Sequence, residues 1–206
     1  MRARPEKIRA AIFGGSGYGG SELLRILLFH PDVEVGLVTA NEHAGKAVTD
    51  VHRNLLGLTN LRFERAPEDL GSVAADVAFF ALPHGQALSL APQLQPGVKV
   101  IDLSGDFRID DPDVFRQFYK LDHTAMSLQE SFVYGLTETN REAIRGAQYI
   151  ANPGCFATAT LLALAPMVKS GLLSRRMVVD AKTGSSGSGA KPAANTHHPQ
   201  RSNSFY

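Results

Sequence analysis

Cysteine is nearly missing from this chain: one stands among 206 residues, and there is no tryptophan. A lone thiol can make neither an internal disulfide nor a cysteine-rich metal site, so Cys155 is either an inert packed side chain or a reactive one. An excess of either charge is lacking too. The 21 basic and 20 acidic side chains leave a formal net charge of +1. No basic tract could follow a phosphate backbone, which argues against nucleic acid as a partner. Long apolar runs are also missing, since none reaches the roughly 18 residues that a bilayer crossing needs. Met1 to Lys7 is short and charged, without the apolar centre of a signal peptide. The expectations are no membrane partner, a cytoplasmic location, and a globular chain whose 44% hydrophobic content can bury a substantial core.

What is present alternates strand and helix patterns. Ile8 to Phe13 is an apolar run ending in glycines, after which Glu22 to Leu28 reads as a helix. Val33 to Thr39, Val77 to Leu82 and Val98 to Leu103 read as further strands, with a short helix at Pro67 to Leu70 and another at Gln86 to Leu94. Such alternation predicts a parallel sheet covered on both faces. Pro112 to Phe118 reads as a short helix. Phe132 to Leu136 and Gln148 to Ala151 read as extended segments flanking a helical Asn140 to Arg145. Beyond Gly154 come a helix over Ala157 to Lys169, a strand candidate at Met177 to Lys182, and a Gly/Ser-rich loop from Thr183 to Lys191. The expected fold is α/β, with a boundary near residue 150. Residues 1–150 form a Rossmann-type parallel-sheet domain, and residues 151–206 begin an α+β catalytic and dimerisation domain.

Between the first strand and the first helix lies Gly14-Gly15-Ser16-Gly17-Tyr18-Gly19-Gly20. Backbone N–H groups and the positive end of a helix there can hold a pyrophosphate. The G-x-x-G-x-x-G spacing is a variant of the dinucleotide fingerprint, and its place in a strand-turn-helix unit favours a nucleotide over a mere tight turn. At the end of the second strand, where an acidic residue would bind the ribose of NAD, stand Thr39, Ala40 and Asn41. The missing charge points to NADP, its 2′-phosphate held by Thr39, Asn41, Lys46 or a more distant group.

Asn152-Pro153-Gly154-Cys155-Phe156 closes an apolar strand and opens an apolar helix, which puts the sulfur in the first helical turn. The helix dipole and unpaired N–H groups there favour the thiolate, the reactive form. Simple packing is the ordinary fate of a free cysteine, but this position argues for reactivity. A thiolate beside a nicotinamide can attack an aldehyde carbon, lose hydride to the cofactor and keep the acyl group as a thioester. Inorganic phosphate as acceptor gives an acyl phosphate, and the reverse direction reduces an acyl phosphate to an aldehyde.

With these segments assembled, the chain resembles the N-acetyl-γ-glutamyl-phosphate reductases, relatives of the aspartate-semialdehyde dehydrogenases. The likeness runs its whole length, through Gly14 to Glu22, Phe80 to Gly85, Ile101 to Arg108, Tyr134 to Glu138, Asn152 to Thr158, Asp180 to Ala190 and Thr196 to Pro199. It implies NADPH-dependent reduction of N-acetyl-γ-glutamyl phosphate to the semialdehyde, a step of arginine biosynthesis, by a homo-oligomer. Cys155 is then the catalytic nucleophile. Gly14, Ser16, Gly17, Tyr18, Gly19, Gly20 and Thr39 form the cofactor site, with Ser186 and Gly187 closing over its nicotinamide end. Arg108, Asn152 and His198 line the substrate pocket. For Arg108 the alternative is a surface ion pair with Asp106 or Asp110.

In this family a histidine beyond the Thr196-His197-His198-Pro199 segment acts as acid and base. The resemblance therefore implies that the reading frame continues past Tyr206, and that this sequence alone would expose apolar surface. His197 and His198 fit a pocket or packing role, and no metal site is expected. Two other readings stay open. One is a relative acting on a carrier-linked aminoadipyl or glutamyl phosphate, or on aspartyl phosphate. The other is a nucleotide-binding module without catalysis.

Overall fold

Within Ile8–Phe13 (β1), Ala10 to Phe13 are apolar and buried on both faces, while Ile8 and Arg9 at its start are exposed. Ala10 and Ile12 enter one buried cluster, with Leu24, Val38 and Phe63, while Ala11 and Phe13 enter the other, with Phe80, Val100 and Phe115. The computed structural model describes residues 6–172 and 176–193. After β1 come α1 (Tyr18–Leu27), β2 (Val33–Thr39), α2 (Val48–Val51), β3 (Val77–Phe80), α3 (Gln86–Leu90), β4 (Lys99–Asp102) and α4 (Pro112–Tyr119). Then follow α5 (Met126–Gln129), β5 (Phe132–Tyr134), α6 (Thr137–Gly146), β6 (Tyr149–Ala151) and α7 (Cys155–Lys169).

The described strands make one six-stranded sheet in the order β2-β1-β3-β4-β6-β5, and every neighbouring pair is parallel. The fold is α/β with a Rossmann-like parallel sheet, as the alternating pattern predicts. Strand order reverses between β1 and β3. The crevice beyond their carboxyl ends is where such sheets bind ligands. Loops carrying Gly14 to Gly20 and Leu82 to Gly85 open onto that crevice.

Several expected elements change shape. Met177 to Lys182 is irregular rather than a strand: no described segment pairs with it, and Val178 is fully exposed. A strand pattern needs a neighbour to take up its backbone groups. Pro67 to Leu70 is not a helix either. Asp69 accepts the Gly71 N–H at 2.9 Å and starts a 3-10 turn at Leu70–Ser72 instead. The segment expected as one helix to Leu94 stops at Leu90 and continues as the 3-10 turn Ala91–Gln93, where Pro92 lacks the N–H that an α-helix would use. In the other direction, α1 begins at Tyr18 and α6 at Thr137, earlier than the apolar spacing showed. No residue of α7 is buried, and Phe156, Leu161, Leu162 and Val168 stand exposed along it.

Candidate active site

The glycine turn is shaped by what surrounds it. Gly14 has φ +83°, and a Cβ there would strike the Ala81 carbonyl at the end of β3. A Cβ on Gly20 would strike the Gly15 carbonyl, so the first turn of α1 lies directly on the loop. From β2, Thr39 holds the turn twice: its carbonyl accepts the Gly15 N–H at 2.8 Å and its hydroxyl accepts the Gly14 N–H at 3.3 Å. Gly17 caps α1 without a side-chain bond, which leaves first-turn N–H groups at Tyr18, Gly19 and Gly20 open to an anion. A backbone cradle that would tolerate no Cβ at two points, with open helix-start donors, fits a pyrophosphate.

Thr39 itself is 3% exposed with its hydroxyl turned to Gly14, so it supports the turn from behind and does not reach toward a ribose phosphate. The exposed loop after β2 carries Asn41, Glu42 and Lys46. An isolated antiparallel bridge pairs Ala47 with Arg62, and Arg62 Nη1 donates to the Gly45 carbonyl at 2.8 Å. An arginine that stands 16 positions beyond Lys46 in the sequence is thereby brought to the loop after β2. Lys191 Nζ lies 3.8 Å from Glu42 Oε1, which offsets that carboxylate.

Cys155 is the first residue of α7 and is exposed. The segment before it is tied down at each step. Asn152 N–H donates to the Asp102 carbonyl at 2.8 Å, extending the β4–β6 pairing by one bond, and Thr158 N–H and Oγ1 both donate to the Gly154 carbonyl at 2.9 Å. Arg108 donates through Nε to the Asn152 carbonyl at 2.7 Å and through Nη2 to the Leu103 carbonyl at 2.8 Å. Its Nη1 sits so near Gly154 that a Cβ there would lie 3.2 Å away. Arg108 therefore does not serve as the surface ion pair considered from sequence; the Asp106 carboxylate is taken by the N–H groups of Gly85 at 2.7 Å and Ala87 at 3.0 Å.

Behind Arg108 the buried Asp102 accepts the Ser104 N–H at 2.9 Å and the Ser104 hydroxyl at 2.8 Å. Burial pushes its carboxyl up to about 6. The Ser104 hydrogen bonds and Arg108 oppose that rise, while Asp106 adds to it. No sequence motif marks Asp102, because a carboxylate at a strand end signals nothing until its burial is known.

Cys155 and the glycine turn stand at the same edge of the sheet, after β6 and β1, three strand spacings or about 14 Å apart. The segment between residues 179 and 192 borders both. Asp180 to Thr183 line a hollow of about 430 Å³ with Cys155, Phe156 and Thr160, and Ser185, Ser186 and Lys191 line another of about 300 Å³ with Tyr18. Ser186 and Gly187 form a 3-10 turn there, Ser185–Ser188. His198, with the rest of Thr196 to Pro199, lies outside the described residues. No group of three or more potential metal ligands occurs among those described, and no described helix is long and apolar enough to cross a membrane.

Comparison with known proteins adds independent findings. A family model described as semialdehyde dehydrogenase, NAD binding domain, matches residues 9–147, and one described as semialdehyde dehydrogenase, dimerisation domain, matches residues 155–206. A LysW-L-2-aminoadipate/LysW-L-glutamate phosphate reductase of Saccharolobus solfataricus is 46% identical over 97% of the chain. An N-acetyl-gamma-glutamyl-phosphate reductase of Methanococcus maripaludis is 45% identical over 92%. The chain spans 57% and 55% of the length of these two curated relatives. Among solved structures, an aspartate semialdehyde dehydrogenase from Candida albicans shares the fold with TM-score 0.55 at 15% identity, covering 82% of this chain and 48% of that one.

Proposed function

Because the chain belongs to the semialdehyde dehydrogenase family, we propose that it forms the dinucleotide-binding and thiol-bearing part of a reductase that turns an acyl phosphate into its aldehyde. The observation that carries this reading is Cys155, exposed at the start of α7 on the same sheet edge as the glycine turn. We also divide the chain near residue 150, in line with family models that end at 147 and begin at 155.

In this mechanism the Cys155 thiolate attacks the acyl carbon, the carbon–oxygen bond to phosphate breaks, and phosphate leaves, taking a proton from water, giving a thioester. A reduced nicotinamide dinucleotide, its diphosphate held at the Gly14 to Gly20 turn, would supply the hydride that the thioester carbon takes up. The carbon–sulfur bond then breaks, which releases the aldehyde and restores the thiolate. Arg108 holds the Asn152 carbonyl and so the entry to α7, and its Nη1 beside Gly154 is the donor left for a substrate oxyanion. Asn152, whose side-chain amide donates to the Pro153 carbonyl at 3.2 Å, is assigned to substrate binding in the same segment. Ser186 and Gly187, in the turn on the loop that borders both hollows, would cover the nicotinamide end.

NADP is the cofactor of this reading. Lys46 stands on the loop after β2 and Arg62 reaches the Gly45 carbonyl of that loop, which supplies cations for a 2′-phosphate, and Lys191 offsets the Glu42 carboxylate. A homo-oligomer is read from the match to a dimerisation domain. For the substrate, our reading takes a carrier-linked aminoadipyl or glutamyl phosphate, the alternative left open from sequence, in place of N-acetyl-γ-glutamyl phosphate, and relatives named for each substrate match this chain. The carrier-acting relative matches at 46% over 97% of the chain, the acetyl-acting one at 45% over 92%.

The test is to supply NADPH and each acyl phosphate to the intact protein. The expected outcome is a preference of at least about tenfold in kcat/KM for the carrier-linked substrate. The opposite preference restores the acetylated substrate, and no turnover with either of these or with aspartyl phosphate rejects the reductase.

A further inference from the structure

One buried histidine touches the glycine turn although no motif joins them. His52 follows α2, is 7% exposed, and its Nε2 lies 2.8 Å from the Gly15 carbonyl oxygen. A carbonyl only accepts, so Nε2 carries the hydrogen and donates it. The ring is fixed by packing edge-on against buried Phe63, with centroids 5.8 Å apart at 74°. Its backbone is fixed by His52 N–H to the Val48 carbonyl at 2.8 Å and by Leu55 N–H to the His52 carbonyl at 3.0 Å. The donor is thus rigid before any ligand arrives.

The target of that donor is the soft part of the turn. Gly14, Gly15 and Gly17 carry no Cβ to restrict rotation, so the peptide plane between Gly15 and Ser16 needs support from outside. In a planar trans peptide the C=O and the following N–H point in opposite directions. Drawing the Gly15 carbonyl toward His52 therefore turns the Ser16 N–H away from the buried ring, toward the side where Ser16 and Tyr18 meet solvent. Thr39 holds the N–H groups of Gly14 and Gly15, and Gly20 packs against the Gly15 carbonyl without a hydrogen bond, so the hydrogen bond that orients this plane comes from His52.

We infer that His52 is the positioning residue of the pyrophosphate turn, orienting the Ser16 N–H through the Gly15 carbonyl. The inference rests on the reading of the turn as a dinucleotide site. It assigns His52 no contact with the reacting atoms; its effect falls on the binding of diphosphate and leaves the remaining contacts of the nucleotide alone.

Three variants in the intact protein test it. His52→Phe keeps a ring on Phe63 and removes the donor, His52→Gln keeps a donor of similar reach, and His52→Asn keeps a donor too short to reach Gly15. NADPH affinity is measured by fluorescence titration, 2′-AMP serves as a probe without the diphosphate, and the Ser16 amide is followed by hydrogen exchange without ligand. The expected result is NADPH bound roughly tenfold more weakly by the Phe variant, with faster Ser16 exchange, and affinity largely restored in the Gln variant. Affinity for 2′-AMP stays unchanged throughout. Should the Phe variant not fold, Gln against Asn asks the same question, with Asn expected to bind about tenfold more weakly than Gln. Equal NADPH affinity in the compared forms overturns the inference, as does an equal loss for NADPH and 2′-AMP, which marks general loosening. Wild-type protein that binds neither NADPH nor NADH overturns the dinucleotide reading itself.

Discussion

Arg108 Nε donates to the Asn152 carbonyl at 2.7 Å, while Nη2 of the same guanidinium holds the Leu103 carbonyl at 2.8 Å. One side chain therefore ties the end of β4 to the segment that delivers Cys155. A lysine has a single ammonium and cannot hold both carbonyls in this geometry. Arg108→Lys is expected to lower kcat by about 10²-fold, since the thiol is misplaced, with dinucleotide affinity unchanged. Steady-state rates beside a binding titration measure the split, and an unchanged kcat would show that the Asn152 to Asp102 backbone bond is enough.

Cys155→Ser in the intact protein is expected to cost roughly 10³-fold or more in turnover while NADPH binding is retained. The wild-type thiol should also react with iodoacetamide faster than a free cysteine derivative at neutral pH, because it stands exposed at a helix start. A rate no faster than the free thiol favours a nucleotide-binding module without catalysis.

Gly20 and Gly17 make a matched pair. A methyl on Gly20 meets the Gly15 carbonyl and must push the turn open, whereas one on Gly17 meets nothing within 4 Å. Gly20→Ala should lose about 1–3 kcal/mol in urea unfolding and bind NADPH more weakly. Gly17→Ala should stay within about 0.5 kcal/mol of wild type. Similar losses in both variants would remove the crowding argument.

Asp102 gives a pH dependence with a definite sign. Its carboxyl is raised to about 6 in the folded chain, chiefly by burial, so the native state holds the proton more tightly than the unfolded state does. Its contribution to stability is complete below the ordinary aspartate range and is lost as pH rises through about 6. Relative to wild type, Asp102→Asn should therefore gain on the order of 2 kcal/mol between pH 4 and pH 7. Paired denaturation curves at the two pH values read the difference directly, and a constant gap refutes it.

Arg62→Ala should weaken NADPH by roughly tenfold and leave NADH unchanged, if the guanidinium that meets Gly45 also serves the 2′-phosphate. Equal effects on both cofactors would place Arg62 in loop support only.

Local pattern carried much of the architecture. The limits of β1 and β2 follow from apolar runs and glycine punctuation, and they agree with the structure residue for residue. The position of Cys155 at a helix start was likewise readable from Asn152-Pro153-Gly154 followed by an apolar stretch. Met177 to Lys182 shows where such reading stops: its residues favour a strand, but no described neighbour supplies the ladder. The bond from His52 to Gly15 spans 37 positions and the one from Arg62 to Gly45 spans 17, separations that no periodicity encodes.

By itself the sequence determined the alternation of elements, the glycine turn and the thiol at a helix start, because each depends on residues within a few positions of one another. Tertiary structure alone decided that Arg108 spends its guanidinium on two carbonyls, that Thr39 faces inward and that His52 stands behind the turn. Those outcomes depend on which strand ends meet and which polar groups lose their water, and both are settled only when distant segments pack together.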